Sequence, residues 1–205
     1  MERGEVDFAA VLCGRCPVCG GRGHIGLLTP YTRTVVELFP CRQGTVQIAR
    51  FRCRKTGRTF SLLPLELAPY HQYTLTTMFQ TLVLFCALWG PEGKTVEDAV
   101  LEALPPDSRV TVSLVRFWSG VGVRGWRRSR PVLRRTYDLS EIRSETGFRG
   151  QAAEVLAYLR ACRVRGPPWV DEGVLRIARE YSHASRRFLV GMPSQDRRRS
   201  QWSAR

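Results

Sequence analysis

The hydrophobic pattern changes period near residue 64. Before it, residues 34–39 (TVVELF) and 45–52 (TVQIARFR) are rich in β-branched and aromatic side chains, which predicts two strands. The segment 40–44 (PCRQG) between them has turn chemistry, and 58–62 (RTFSL) predicts a short third strand. After residue 64 the pattern is helical. Residues 70–89 contain no Gly or Pro and are stopped by Gly90-Pro91. Residues 95–104 place Val96, Ala99, Val100 and Leu104 on one face, with Thr95 as N-cap and Asp98 in the capping-box position. Pro105-Pro106-Asp107 breaks that helix, and 111–119 starts another, with Val112, Leu114, Val115 and Trp118 apolar. Gly120, Gly122 and Gly125 leave the next segment unassigned. Residues 150–163 and 171–189 predict two further helices, split by Gly166-Pro167-Pro168. No internal repeat is visible. The fold class expected is α+β: a β module over 1–64, a mostly helical region over 65–192, and a polar, basic tail over 193–205 expected to be disordered.

Composition sharpens this picture. With 205 residues the chain is large enough for one domain or two small ones, and 43% hydrophobic residues can build a core. Lys plus Arg number 32 against 18 Asp plus Glu, a net charge of +14 that attracts polyanions, nucleic acid first among them. Nearly all the cations are Arg. A GC-rich genome produces the same bias, so the charge carries the argument and the Arg preference does not. The charge is uneven. Residues 15–60 hold arginines and Lys55 against the single acid Glu37; 61–108 hold one base, Lys94, among six acids; 109–137 hold arginines and no acid. Two basic blocks flanking an apolar, mildly acidic one suggest two nucleic-acid-facing modules around a packed middle. No secretory signal is visible at the N-terminus. The uncharged stretch 67–91 is interrupted by Thr74, Thr76, Thr77, Gln80 and Thr81, which favours a buried helix over a membrane span. A cytoplasmic location follows as an expectation, and in a reducing cytosol clustered cysteines point to metal before disulfides.

Cys16-Pro17-Val18-Cys19-Gly20 is a knuckle: two thiols spaced to reach one tetrahedral ion, closed by a glycine that relieves the tight turn. After the predicted hairpin, Cys53-Arg54-Lys55-Thr56-Gly57 repeats the frame, with Thr56 where a fourth cysteine would stand. Zinc bound by Cys16, Cys19 and Cys53 is expected. Cys13 ranks first as the fourth ligand, His24 second and Cys41 third, because Cys41 lies at the hairpin turn, about 20 Å from the knuckles along a strand rising roughly 3.3 Å per residue. Loss of the metal site altogether is the alternative. Thr56 is a poor ligand, since a neutral hydroxyl is a weak donor. Cys86 and Cys162 fall on apolar helix faces and are expected to be small buried residues.

The run from Phe51 to Pro64 (FRCRKTGRTFSLLP), continuing to Pro69-Tyr70-His71-Gln72-Tyr73 and preceded by the first knuckle, resembles an uncharacterised bacterial zinc-ribbon family associated with insertion-sequence elements. That family is itself similar to the N-terminal part of transposases. The resemblance covers about residues 13–90 and fades toward Gly120. It implies a zinc ribbon followed by helices, including a helix-turn-helix, that serve DNA. Thr56 departs from the family pattern, so a four-cysteine site does not carry over.

The second basic block fits helix-turn-helix logic over 95–119. One helix packs, and the next presents its first turn to base edges. Ala99 would sit where the helices cross, Ser113 and Arg116 would face outward, and Arg109 would lie in the approach. The turn at 105–110 is longer than usual. Downstream, Arg124, Arg127, Arg128 and Arg130, with Arg134 and Arg135, form a run expected to meet phosphates. The alternative is a solvated basic face with Trp118 and Trp126 as ordinary core. No catalytic motif is present: no phosphate-binding Gly-Lys loop, no nucleophile elbow, no His-Glu-x-x-His, and no paired histidines among His24, His71 and His183. The acids Glu97, Asp98, Glu102, Glu172 and Glu180 read as helix surface. The expectation is therefore a non-enzymatic protein that grips duplex DNA and is linked to a mobile element. The alternatives are an RNA-binding zinc-ribbon protein, or an adaptor that docks a transposase or other mobile-element protein.

Overall fold

The computed structural model describes residues 12, 14–69, 71–89, 94–106, 108–165, 170–185 and 189. Cys13, the helix stop at 90–91, the break at 166–168 and the tail at 193–205 lie outside the described residues. The architecture is α+β. Strands β1 (Ile25–Leu38), β2 (Cys41–Cys53) and β3 (Thr59–Leu62) form one sheet in the order β1-β2-β3. Five helices follow: α1 (Leu75–Trp89), α2 (Val96–Ala103), α3 (Val112–Leu133), α4 (Gly147–Ala161) and α5 (Val170–Ser185). The chain divides into two compact units. Residues 1–34 and 45–64 form the first; residues 35–44 and 65–205 form the second.

The first hairpin is longer than its β-branched runs suggest, and its turn is tighter. β1 begins at Ile25 and runs through Pro30; it is an edge strand, where a residue without an N–H is tolerated. The connection is only Phe39-Pro40, so Cys41, Arg42 and Gln43 belong to β2 and not to a turn. Gln47 Nε2 donates to Thr32 Oγ1 across the pair at 3.0 Å. β2 and β3 are antiparallel, with Arg50 opposite Ser61, Phe51 opposite Phe60 and Arg52 opposite Thr59. The Phe51 and Phe60 rings stack at 5.4 Å.

The end of the hairpin belongs to the helical unit because its side chains are apolar and its backbone is bonded there. Leu38 is buried in that core, and Val36 and Phe39 pack against it. Val36 N–H donates to the Gln72 carbonyl, Thr74 N–H donates to the Val36 carbonyl, and Leu38 N–H donates to Thr77 Oγ1. Thr74 and Thr77, two of the threonines that interrupt the apolar stretch, thus have a structural role. Thr74 Oγ1 accepts from Thr77 N–H and donates to Thr77 Oγ1, which closes the first turn of α1.

The charge-free stretch is the central helix α1. Leu75, Met78, Phe79, Leu82 and Phe85 are all buried, and among the described residues no helix is long and apolar enough to cross a membrane. Around α1, edge-on pairs join Tyr73 to Trp118 and Phe79 to Trp126, and Trp126 stacks on Tyr158. α2 has the cap that its sequence predicts: Thr95 accepts from Asp98 N–H, and its hydroxyl donates to the Asp98 carboxylate.

The largest departure is α3. It does not stop at Ser119 but runs 22 residues to Leu133, through all three glycines and into Pro131. The glycines are buried. Gly122 packs closely between helices: a Cβ there would lie 3.4 Å from Val155 of α4 and 3.5 Å from Phe79 of α1. Helix propensity alone would end the helix here; tertiary packing overrides it. Residues 95–119 therefore form an eight-residue helix, a connection, and the first third of a long core helix.

Candidate metal centre and the placement of the arginines

The two knuckles share one backbone design. Cys16 N–H donates to the Gly21 carbonyl and Gly20 N–H to the Cys16 carbonyl; Cys53 N–H donates to the Arg58 carbonyl and Gly57 N–H to the Cys53 carbonyl, each at 2.8 Å. Gly20 and Gly57 both have positive φ, 74° and 70°, the conformation each turn needs and only glycine adopts without strain. By this correspondence Thr56 occupies the place of Cys19.

The fourth ligand-bearing residue comes from elsewhere. Cys16, Cys19, His24 and Cys53 bring one ligand atom each to within 4.8 Å of one another, a set that could hold a metal ion. Cys19 Sγ lies 3.0 Å from His24 Nε2 and 3.7 Å from Cys53 Sγ. Two contacts aim the imidazole. Its Nδ1 donates to the Arg22 carbonyl at 2.9 Å, which leaves Nε2 for the sulfurs, and the His24 carbonyl accepts from Arg54 N–H at 3.0 Å, which ties it to the second knuckle. Gly21 makes room: a Cβ there would lie 2.7 Å from the imidazole Cε1. The residue ranked second from sequence thus completes the described set. Cys13, ranked first, lies outside the described residues. Cys41 is exposed at the start of β2 and is not one of the four.

Thr56 is not idle. Its hydroxyl and its backbone N–H both donate to the Cys53 sulfur, which brings the thiol down to about 6. Burial raises the Cys16 thiol, but the Val18 and Cys19 N–H groups outweigh it and bring it below its ordinary value. Cys19 is helped by the Gly21 N–H, yet desolvation and the neighbouring sulfurs hold it above that value. His24 is raised by its bond to the Arg22 carbonyl and then by the adjacent sulfurs. Elsewhere, burial pushes Cys86 and Cys162 up to about 12, as suits small residues packed among helices.

The arginines fall into two groups. In the first unit, the described residues carry seven Arg and Lys55 with no Asp or Glu. All are exposed but Arg33, which is half-buried. Arg50 and Arg52 alternate on one face of β2, and Arg54 follows them across Gly26, where a Cβ would lie 3.2 Å from its Nε. This i, i+2 spacing is legible as a strand face, though charge blocks alone do not single it out. In the second unit, Arg127 is a strut. It holds the buried Glu154 carboxylate through Nε at 2.9 Å and a terminal nitrogen at 2.6 Å, and also donates to the Glu145 carbonyl. Arg128 donates to the Leu189 carbonyl and Arg130 to the Leu139 carbonyl. The guanidinium of Arg116 lies 5.6 Å from the Phe148 ring centre. Arg109, Ser113, Arg116 and Arg124 are exposed.

No family model, curated protein or solved structure matches the chain.

Proposed function

We propose that the first unit is a zinc-organised module that grips the phosphate backbone of nucleic acid, duplex DNA first, and that the protein acts by binding and not by catalysis. The carrying observation is the charge: eight basic residues and no acid among the described residues of a unit built around four metal-ligating side chains. Zinc fits the donor set. Two thiolates on one tetrahedral zinc stand about 3.8 Å apart when Zn–S bonds are about 2.3 Å, close to the 3.7 Å between Cys19 and Cys53. Three sulfurs and one imidazole fill a tetrahedron and leave no position for water or substrate, the mark of a structural site. Three thiolates and a dication sum to a single negative charge, so the module stays strongly cationic with metal bound.

Arg50, Arg52 and Arg54 are the leading phosphate contacts, with Lys55 and Arg58 beside them. The exposed Arg109, Ser113, Arg116 and Arg124 are a second surface, where a helix-turn-helix reading would place base contacts. The sequence resemblance adds a setting, the ends or promoter of a mobile element with a transposase as a further partner. The adaptor reading relied on a free α1, whereas α1 buries Leu75, Met78, Phe79, Leu82 and Phe85 in its own unit and packs Val83, Leu84, Cys86, Leu88 and Trp89 half-buried against that core.

The test is titration of the intact protein with duplex DNA and with a folded RNA over a range of salt, beside the metal content of protein purified without added zinc. Salt-steep binding to duplex, with one zinc per chain and weaker retention on RNA, is expected. Tighter binding to RNA would make RNA the target. Absence of salt-dependent binding to either would overturn the reading.

A further inference from the structure

The end of α4 and the first turns of α5 border an open cleft of about 300 Å³, whose described lining is Arg163, Arg165, Glu172, Gly173 and Arg176. The described lining thus carries three arginines and one glutamate. Among the described residues, no carboxylate lies within ion-pair distance of any of the three. The cleft sits at the small end of ligand pockets, and its described lining is polar and charged apart from Gly173. Its chemistry suits a small, multiply charged oxyanion.

The walls are built, not incidental. α4 ends in a closed cap, in which Arg163 N–H donates to the Arg160 carbonyl and Val164 N–H to the Leu159 carbonyl, both at 2.9 Å. This cap puts Arg163 at the left-handed position, φ 57°, where glycine is the usual residue. It is the one non-glycine residue with positive φ among the described residues. The chain thus holds an arginine in an unfavourable backbone conformation at the mouth of the cleft, a form of strain that clusters at binding sites. Val164 is pinned against α5: a Cβ on Gly173 would lie 2.8 Å from its Cγ1. Arg176 is aimed in advance, since one terminal nitrogen donates to the Cys162 carbonyl at 2.9 Å and its guanidinium lies 5.9 Å from the centre of the Tyr137 ring.

We propose that this cleft is a phosphate site, which takes the phosphate of a small phosphomonoester or the terminal phosphate of a nucleic acid strand on Arg163, Arg165 and Arg176. Guanidinium forks match phosphate oxygens two at a time. Glu172 lines the same cleft and can accept the proton of a monoanionic phosphate. The site lies wholly in the helical unit and does not depend on the metal-organised module.

Arginine-selective modification by a dicarbonyl reagent, mapped by peptide mass spectrometry on the full chain, tests it. Inorganic phosphate should protect Arg163, Arg165 and Arg176 more than sodium chloride of equal ionic strength does, and more than it protects Arg50 or Arg52. Arg163→Gly should lower phosphate affinity by about tenfold or more, while raising the melting temperature, because glycine relieves the left-handed strain. Arg165→Ala, which touches no cap bond, should lower affinity without raising stability. Competition by a 5′-phosphorylated strand but not its 5′-hydroxyl counterpart would name the strand terminus as the source; competition by a sugar phosphate alone would name a small metabolite. Equal protection by phosphate and chloride, or unchanged affinity in both variants, would overturn the site.

Discussion

The two units solve the same problem of excess positive charge in opposite ways. Of the described residues in the first unit, only Cys16, Ile48, Phe51 and Cys53 are buried apolar positions, and two of these are cysteines of the cluster that could hold a metal ion. Such a unit has almost no core of its own, its four clustered ligand-bearing side chains could hold a metal ion, and its cations are left at the surface. The helical unit has a continuous core of aromatic and aliphatic residues, and it uses arginines as struts. An arginine is therefore informative only with its surroundings: identical side chains stand exposed on an acid-free surface in one unit and make internal ties in the other.

The sharpest way to break this contrast is to remove the metal. Chelation, or Cys16→Ser or Cys53→Ser, should unfold the first unit, since structural zinc contributes about 10–16 kcal/mol of binding free energy to small modules. Hydrogen exchange should show protection lost in β3 and the knuckles and retained in α1 and α3. Cooperative loss of both units together would show that the helical core is not self-sufficient.

The converse experiment is Arg127→Ala. It strands the Glu154 carboxylate, 2% exposed, with the Glu145 N–H as its remaining partner among the described residues. A cost of about 3 kcal/mol is expected in urea denaturation, with metal content unchanged. The same pair sets an acid limit. Burial raises the Glu154 carboxyl, but Arg127 and the Glu145 N–H outweigh it and hold it below its ordinary value. Its stabilisation is thus complete above about pH 4.3, the unfolded value, and is lost as pH falls through the lower folded one. Glu154→Gln should flatten that acid limb; an unaltered limb would assign it to another group.

Next in size is the salt dependence of DNA binding. Arg50, Arg52 and Arg54 changed together to Ala should reduce the slope of log K against log salt by up to about 0.9 for each phosphate no longer neutralised. Arg127, Arg128 and Arg130 changed together should cost stability and leave that slope in place. If the second triple flattens the slope and the first does not, the roles of the two units are reversed.

The smallest effect separates Thr56 from a vacant ligand position. Thr56→Val should weaken metal binding by about 10–100-fold, the usual cost of losing a hydrogen bond to a ligand. Because the knuckles share one frame, Thr56→Cys should restore much of the affinity lost in His24→Ala. No rescue would mean that residue 56 cannot turn its side chain toward the ion.

How much of the molecule is legible in the chain follows from how local each feature is. The knuckles, the cap at Thr95 and the buried, uncharged α1 rest on short-range spacing, and all are legible. His24 is visible as a candidate, but its place depends on a bond from Arg54, thirty residues away in sequence, to its carbonyl. The internal roles of Arg127, Arg128 and Arg130 are not legible, because their partners lie on other segments and a run of arginines looks alike whether it faces water or carbonyls. The end of the hairpin reads as part of the β module because strand pattern says nothing about which core a strand enters.

The three glycines of α3 carry a consequence for how the protein is made. Each costs a helix about 1 kcal/mol relative to alanine, and valines at 112, 115, 121 and 123 add to that cost. A segment of this composition has no reason to coil alone. A peptide of residues 112–133 should show a largely unordered circular dichroism spectrum in water. On the ribosome the segment should stay unstructured until α4 has emerged, since Gly122 closes against Val155. The longest helix among the described residues in this sense forms only after a later one has been made, and a nascent chain halted before residue 155 would expose Trp118 and Trp126 to chaperones.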